Sequence, residues 1–231
     1  MGLAIEIGIL AELKRNDEEG LVSLRDDFVR LNQALHAARL CEHHEPEDIQ
    51  DDSIFSCDMY GYSGLHYLRR IAAYEAFGYP MPQPGDDNAS GDRVVKRYYS
   101  EFTGGSFFAR LLRRQQNTRM DFTHLMKHSD AEGYYVPQDF EQVLFPNTSL
   151  KIPGGMIGST QRLLAECKRL AKLLELPSDL DHESDELWDA IDEQGESDIK
   201  WKRYAVESFT CIRLIRACEA SLRLGAVIYF C

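Results

Sequence analysis

The densest gathering of chemically capable side chains runs from Asp121 to Tyr134 and holds Asp121, His124, Lys127, His128, Ser129, Asp130 and Glu132. On a helix Asp121, His124 and His128 stand at i, i+3 and i+7 and share a face, and Asp130 and Glu132 follow where the chain turns. Two imidazoles beside carboxylates suit a divalent cation such as Zn²⁺ or Mn²⁺, which would activate water. On that reading His124, His128 and Asp130 are metal ligands and Glu132 is the general base of a metal-dependent hydrolase. The competing reading is structural. His128 at a helix C-terminus is favoured by the macrodipole, and Asp130 and Glu132 bond loop amides ahead of a tight turn at Gly133.

The second dense stretch, Gly61 to Arg70, carries Tyr62, Ser63, His66, Tyr67, Arg69 and Arg70. Ser63 fits a helix N-cap, with His66 and Arg70 on one face and Tyr62 and Arg69 on another. No Gly-x-Ser-x-Gly elbow frames Ser63, so a hydrolytic Ser63/His66 pair is not expected. If the two stretches meet in space, Tyr62, His66, Arg69, His128, Asp130, Glu132 and Tyr134 form a pocket for a partner or a small polar ligand. Three weaker patterns have plainer explanations. His43-His44 in an acidic loop is expected to face solvent. The alternating acids Asp179, Asp181, Glu183 and Asp185 lack the glycine and the final glutamate of a calcium loop. Gly154 to Ser159, which lies before a helix, could cradle an anion but lacks the Lys-Ser/Thr of a P-loop.

Charge is segregated along the chain. The net charge is −12, which argues against a nucleic-acid or anionic-membrane binder. Seven acids and no Lys or Arg lie between Glu42 and Asp58, and ten more acids, again without a base, lie between Asp179 and Asp198. Without these two stretches, read here as loops, the remaining chain is net +5. They offer a surface for a basic protein partner. The complementary stretch, Arg93 to Arg119, interleaves seven Lys or Arg with Tyr98, Tyr99, Phe102, Phe107 and Phe108. Such a pattern can stack bases, although core packing of the aromatics explains it as well.

The elements that must position these groups are mostly helical. Asn16 to Glu19 reads as a capped, acidic helix start, followed by Leu21, Leu24, Phe28, Leu31 and Leu35 at helical spacing. Tyr62 to Phe77, Arg93 to Tyr99, Ser106 to Gln116, Asp121 to His128, a stripe from Leu163 to Leu174, and Tyr204 to Leu224 read as further helices. Tyr134 to Val136 is a short strand stopped by Pro137. Leu3 to Ile7 and Ala226 to Phe230 can pair as a small strand pair made from the two ends. The expected fold is mainly α, an α+β domain with few short strands, spanning 1–231 without an internal linker. The six cysteines show no Cys-x-x-Cys pair and read as reduced thiols, Cys211 and Cys218 packing on one helix face. No stretch reads as a signal peptide or a membrane span, so cytoplasmic residence is expected.

Gly-Tyr-Ser-Gly-Leu-His-Tyr-Leu-Arg-Arg (Gly61 to Arg70) and His-Ser-Asp-Ala-Glu-Gly-Tyr-Tyr-Val-Pro (His128 to Pro137) resemble an uncharacterised family of bacterial proteins of similar length. The likeness extends from Met1 to Cys231 through Gly154 to Ser159 and implies no activity. The shorter piece from His128 to Gly133 is similar to segments of small bacterial proteins of immunity or defence type. The expectation carried forward is a non-catalytic binding protein of that type with no cofactor, holding a protein partner or a small polar ligand. Its alternative is the Zn²⁺ or Mn²⁺ hydrolase.

Overall fold

A computed structural model describes residues 3–50, 53–84, 88–103, 121–192 and 195–230; the side chains of Tyr62, Phe102 and Thr103 also lie outside the description. The fold is mainly α with one small five-stranded sheet. The strands are β1 (Ala4–Ile7), β2 (Phe55–Asp58), β3 (Tyr134–Val136), β4 (Ile157–Ser159) and β5 (Ile228–Phe230). The described α-helices, in chain order, are α1 (Ile9–Asn16), α2 (Glu18–Ala37), α3 (Gly61–Ala76), α4 (Arg93–Thr103), α5 (Thr123–Lys127), α6 (Thr160–Leu174), α7 (Asp185–Asp192), α8 (Lys200–Arg203) and α9 (Ala205–Leu224).

The strand order is β2-β1-β5-β3-β4. The two ends of the chain do pair: β1 runs antiparallel to β5, Ile5 opposite Phe230 and Ile7 opposite Ile228. β3 joins β5 antiparallel and β4 parallel, which puts Tyr135 opposite both Ile228 and Gly158. Because strand side chains alternate between faces, Ile5, Tyr135, Ile228 and Phe230 enter one core with α3, α6 and α9. Tyr134, Val136 and Ile157 enter a second core with α1 and α2. The Leu21-to-Leu35 stripe of α2 fills that second core, and Asp17 caps the helix by accepting from the Gly20 amide at 3.0 Å. Cys167, Cys211 and Cys218 are free thiols buried in the first core.

Helix α9 lies at the centre. Its residues from Ala205 to Leu214 are all buried, and Gly225 ends it with φ 68° in the left-handed region that glycine tolerates. Helix α6 starts on Ser159, whose hydroxyl accepts from the Arg162 amide at 3.3 Å.

Several expectations shift in detail. Ser63 does not cap α3; its hydroxyl donates to Tyr60 O at 3.3 Å, and the helix starts two residues earlier. Both acidic stretches carry regular structure, β2 in the first and α7 in the second. His43 is buried, with Nε2 2.6 Å from Glu45 Oε2, while His44 is exposed. The Ser106-to-Gln116 helix and most of the basic aromatic stretch fall outside the described residues. Among the described residues no helix is long and apolar enough to cross a membrane.

Candidate functional site

The segments 61–70 and 121–137 meet, and Arg69 joins them. Its guanidinium is buried and donates to Leu125 O at 2.8 Å and His128 O at 2.7 Å, and it pairs with Asp130. These carbonyls sit at the C-terminal end of α5, where a helix leaves acceptors unfilled and a cation is favoured. The other end of α5 is held from α6. Glu166 accepts from the His124 amide at 3.0 Å and the Leu125 amide at 2.7 Å, in place of an N-cap that left-handed Phe122 does not supply. A five-residue helix has little stability of its own, so α5 stands because an arginine from α3 and a glutamate from α6 close its two ends. Burial lifts the Glu166 carboxyl to about 7, against the pull of the two amides.

His66, Arg69, His128 and Asp130 line a cavity of about 370 Å³ beside Tyr99 and Met126. His66 Nε2 lies 3.4 Å from Asp130 Oδ2. Glu132 and Tyr134 do not line it. Glu132 accepts from the Gly154 amide at 3.2 Å, and the Tyr134 ring is in the second core against Phe28 and Tyr229. Nothing is described of the Tyr62 side chain.

The hydrolase expectation does not survive this geometry. His124 Nδ1 accepts from the Ser159 amide at 3.0 Å, so its proton is on Nε2, 3.3 Å from Glu141 O. No lone pair is left for a metal. Both nitrogens of His128 face carbonyls, of Ser129 and Tyr134, and its ring stacks on Tyr135 with centroids 4.0 Å apart. Burial lowers the two imidazoles to about 4 (His124) and about 3 (His128), which keeps them neutral core groups. Among the described residues no three His, Cys, Asp or Glu side chains are grouped to hold a metal ion. The anion cradle goes too, because the amides of Gly154, Gly155 and Ser159 are given to Glu132, Ile152 O and His124.

What remains chemically unspent is charge. The two acidic stretches behave differently. In the first, Glu45 accepts from the Val227 amide at 2.8 Å and pairs with His43, Glu47 pairs with Arg25 at 2.6 Å, and Asp48 pairs with Lys14 at 2.8 Å. Most of its described acids therefore tie the segment to α1, α2 and the approach to β5. In the second, Asp179, Asp181, Glu183, Asp185, Glu186, Asp189, Asp192, Glu196 and Asp198 are all exposed. Glu186 pairs with Lys202 at 2.8 Å and Asp181 lies 3.3 Å from His182. The other seven have no ion pair among the described residues.

Helix α7 organises part of this charge. Leu187 and Ala190 are buried against Trp201, Ala205 and Phe209, so Asp185, Asp189 and Asp192 are carried outward as a stripe. Trp188 is 44% exposed between these carboxylates, its ring edge-on to Phe209 with centroids 4.6 Å apart. Sequence reasoning did not single out Trp188, Glu166 or Arg213. The only signal for Trp188 was an aromatic inside an acidic run, and it reads more simply as a core residue.

Fold and surface together define an acidic α+β protein that carries seven exposed carboxylates, without an ion pair among the described residues, on one helix and its flanking loops. The chain belongs to the protein family described as "Putative DNA-mimic protein", whose model matches residues 1–230. No curated protein and no solved structure matches it. Membership agrees with the resemblance to one full-length family. It overturns the expectations of an immunity- or defence-type binder, of a small polar ligand, and of a metal-dependent hydrolase.

Proposed function

We propose that this protein is a DNA mimic, occupying the DNA-contact face of a DNA-binding protein with the exposed carboxylates of residues 179–198. The observation that carries the reading is α7, taken with the family. Asp185, Asp189 and Asp192, none of them ion-paired among the described residues, span seven residues of rise, about 10.5 Å, or roughly one unpaired charge per 5 Å of axis. One DNA strand presents a phosphate about every 3.4 Å along its axis. A protein evolved to neutralise phosphates with Lys and Arg meets a sparser but comparable line of negative charge. The absence of any Lys or Arg in the stretch supports the same reading, since an interspersed base would quench the field. The net charge of −12, which disfavours DNA as a ligand, favours the proteins that bind DNA.

The test is displacement. Purified duplex-binding proteins from the source organism are each loaded with a labelled duplex and titrated with the full chain. At least one releases its duplex at near-stoichiometric chain, with an effect that weakens as salt rises. The Asp185→Asn/Asp189→Asn/Asp192→Asn variant displaces about 10- to 100-fold less well, from up to about 1 kcal/mol per lost charge contact. If no loaded protein gives up its duplex at low salt, the reading is wrong.

A further inference from the structure

We infer that the cleft beside Trp188 is an anchor for one arginine side chain of the protein partner, a deepening that rests on the DNA-mimic reading. The cleft has a volume of about 480 Å³, large enough for a long side chain, and is lined by Glu6, Asp58, Glu183, Trp188 and Arg213 among others. It opens where the sheet ends. Asp58 and Ser56 are the exposed alternate residues of β2, the outermost strand, and Glu183 and Trp188 belong to the second acidic stretch. Asp58 from the first acidic stretch thus faces the second, though the two are far apart in sequence.

The wall chemistry selects a guanidinium. Arg213 is buried and already shows how one is held here. It lies over the Phe209 ring at 4.1 Å and the Trp188 ring at 5.4 Å and donates to two backbone carbonyls, His182 O at 3.3 Å and Asp58 O. Its donors thus go to carbonyls, so the Asp58 and Glu183 carboxylates keep their acceptor oxygens. Neither has an ion pair among the described residues. Asp58 and Glu183 against the one guanidinium of Arg213 leave this part of the cleft one negative charge in excess. An incoming arginine can lay its planar group against the exposed part of the Trp188 ring and donate to the carboxylates with its N–H fork, whereas a lysine offers only a point charge. Arginine is also among the side chains that duplex-binding proteins use most for base-edge contacts, so the guest is one of the partner's own DNA-contacting arginines.

The full chain is titrated with N-acetyl-arginine amide and, at matched concentration and ionic strength, with N-acetyl-lysine amide, following tryptophan emission. Trp188→Phe identifies the share of the signal from that ring, because Trp201 is buried. The expected result is a saturable Trp188 response to the arginine compound, with affinity about tenfold above lysine. Glu183→Gln and Asp58→Asn, both at exposed positions, each weaken it about fivefold or more. A linear response of equal size for the two compounds overturns the proposal. Duplex displacement separates the two claims. Displacement by a chain whose arginine titration is linear removes the anchor and leaves the mimic. Saturable arginine binding by a chain that displaces no duplex overturns the assignment of the guest to a DNA-binding protein.

Discussion

At the scale of single residues, the groups that looked most reactive are those the fold has spent on itself. Arg69 supplies the missing C-terminal cap of α5, and its removal leaves two carbonyls and the Asp130 carboxylate without their donor. Arg69→Met should therefore lower unfolding stability by about 3 kcal/mol, read by urea denaturation, with Asp130→Asn costing about 1 because that carboxylate is partly solvated. An Arg69→Met protein as stable as the wild type would mean that the clamp does nothing. Titration gives a second check. Glu166 and Glu207 are lifted to about 7 by burial, so between about pH 4.5 and 7 the folded chain holds protons that the unfolded chain has lost, and stability falls as pH rises. His124 and His128 are depressed to about 4 and about 3, so over about pH 4 to 6.5 they push the other way. The two pairs oppose one another between about pH 5 and 6.5, and the Glu45 carboxyl, also raised by burial, adds to the falling side. Glu166→Gln removes one falling contribution and should tilt the profile upward by about 1.4 kcal/mol per pH unit relative to wild type. Parallel profiles would show that Glu166 is already ionised at pH 5.

At the scale of elements, what the sequence made legible was whatever depends on near neighbours. The α2 stripe, the Leu163-to-Leu174 stripe and the buried run of α9 are periodic, and their caps at Asp17, Ser159 and Gly225 are local chemistry. Even the pairing of the two terminal segments could be read from their alternation. Strand β2 was missed because four residues after an acidic run carry no period to detect, and it exists only because β1 offers it an edge. The site was harder for the same reason. That Arg69 meets α5, and that Asp58 faces Glu183, are facts about packing across more than fifty residues, which spacing does not encode. The histidines misled because an amphipathic His-x-x-x-His spacing looks the same whether the imidazoles face a metal or a neighbouring backbone amide. One glycine shows how tightly the elements are fitted. Gly158 on β4 lies under the Tyr135 ring, so a Cβ there would fall inside the ring's van der Waals envelope. Tyr135 cannot yield easily, being stacked on His128 and donating to His124 O at 3.0 Å. Gly158→Ala should cost about 1–3 kcal/mol in a thermal or urea melt, although the strand backbone itself tolerates alanine.

At the scale of the whole molecule, the acidic surface works against folding. Asp189 stands four residues from Asp185 and three from Asp192, neighbours of like sign on a helix face, and α7 has no base in its last turn to answer the dipole. A chain shaped only for stability would not keep Asp192 there. Asp185 and Glu186 differ, since negative charge in the first turn is favourable. Asp189→Asn/Asp192→Asn should therefore raise unfolding stability by about 1 kcal/mol at low salt, with the gain shrinking as ionic strength screens the repulsion. The same double variant should weaken duplex displacement. Gained stability with lost displacement is the signature of a surface kept for a partner at the fold's expense. Lost stability at low salt would instead make the carboxylates part of what holds α7 in place, and the mimic reading would lose the helix on which it rests.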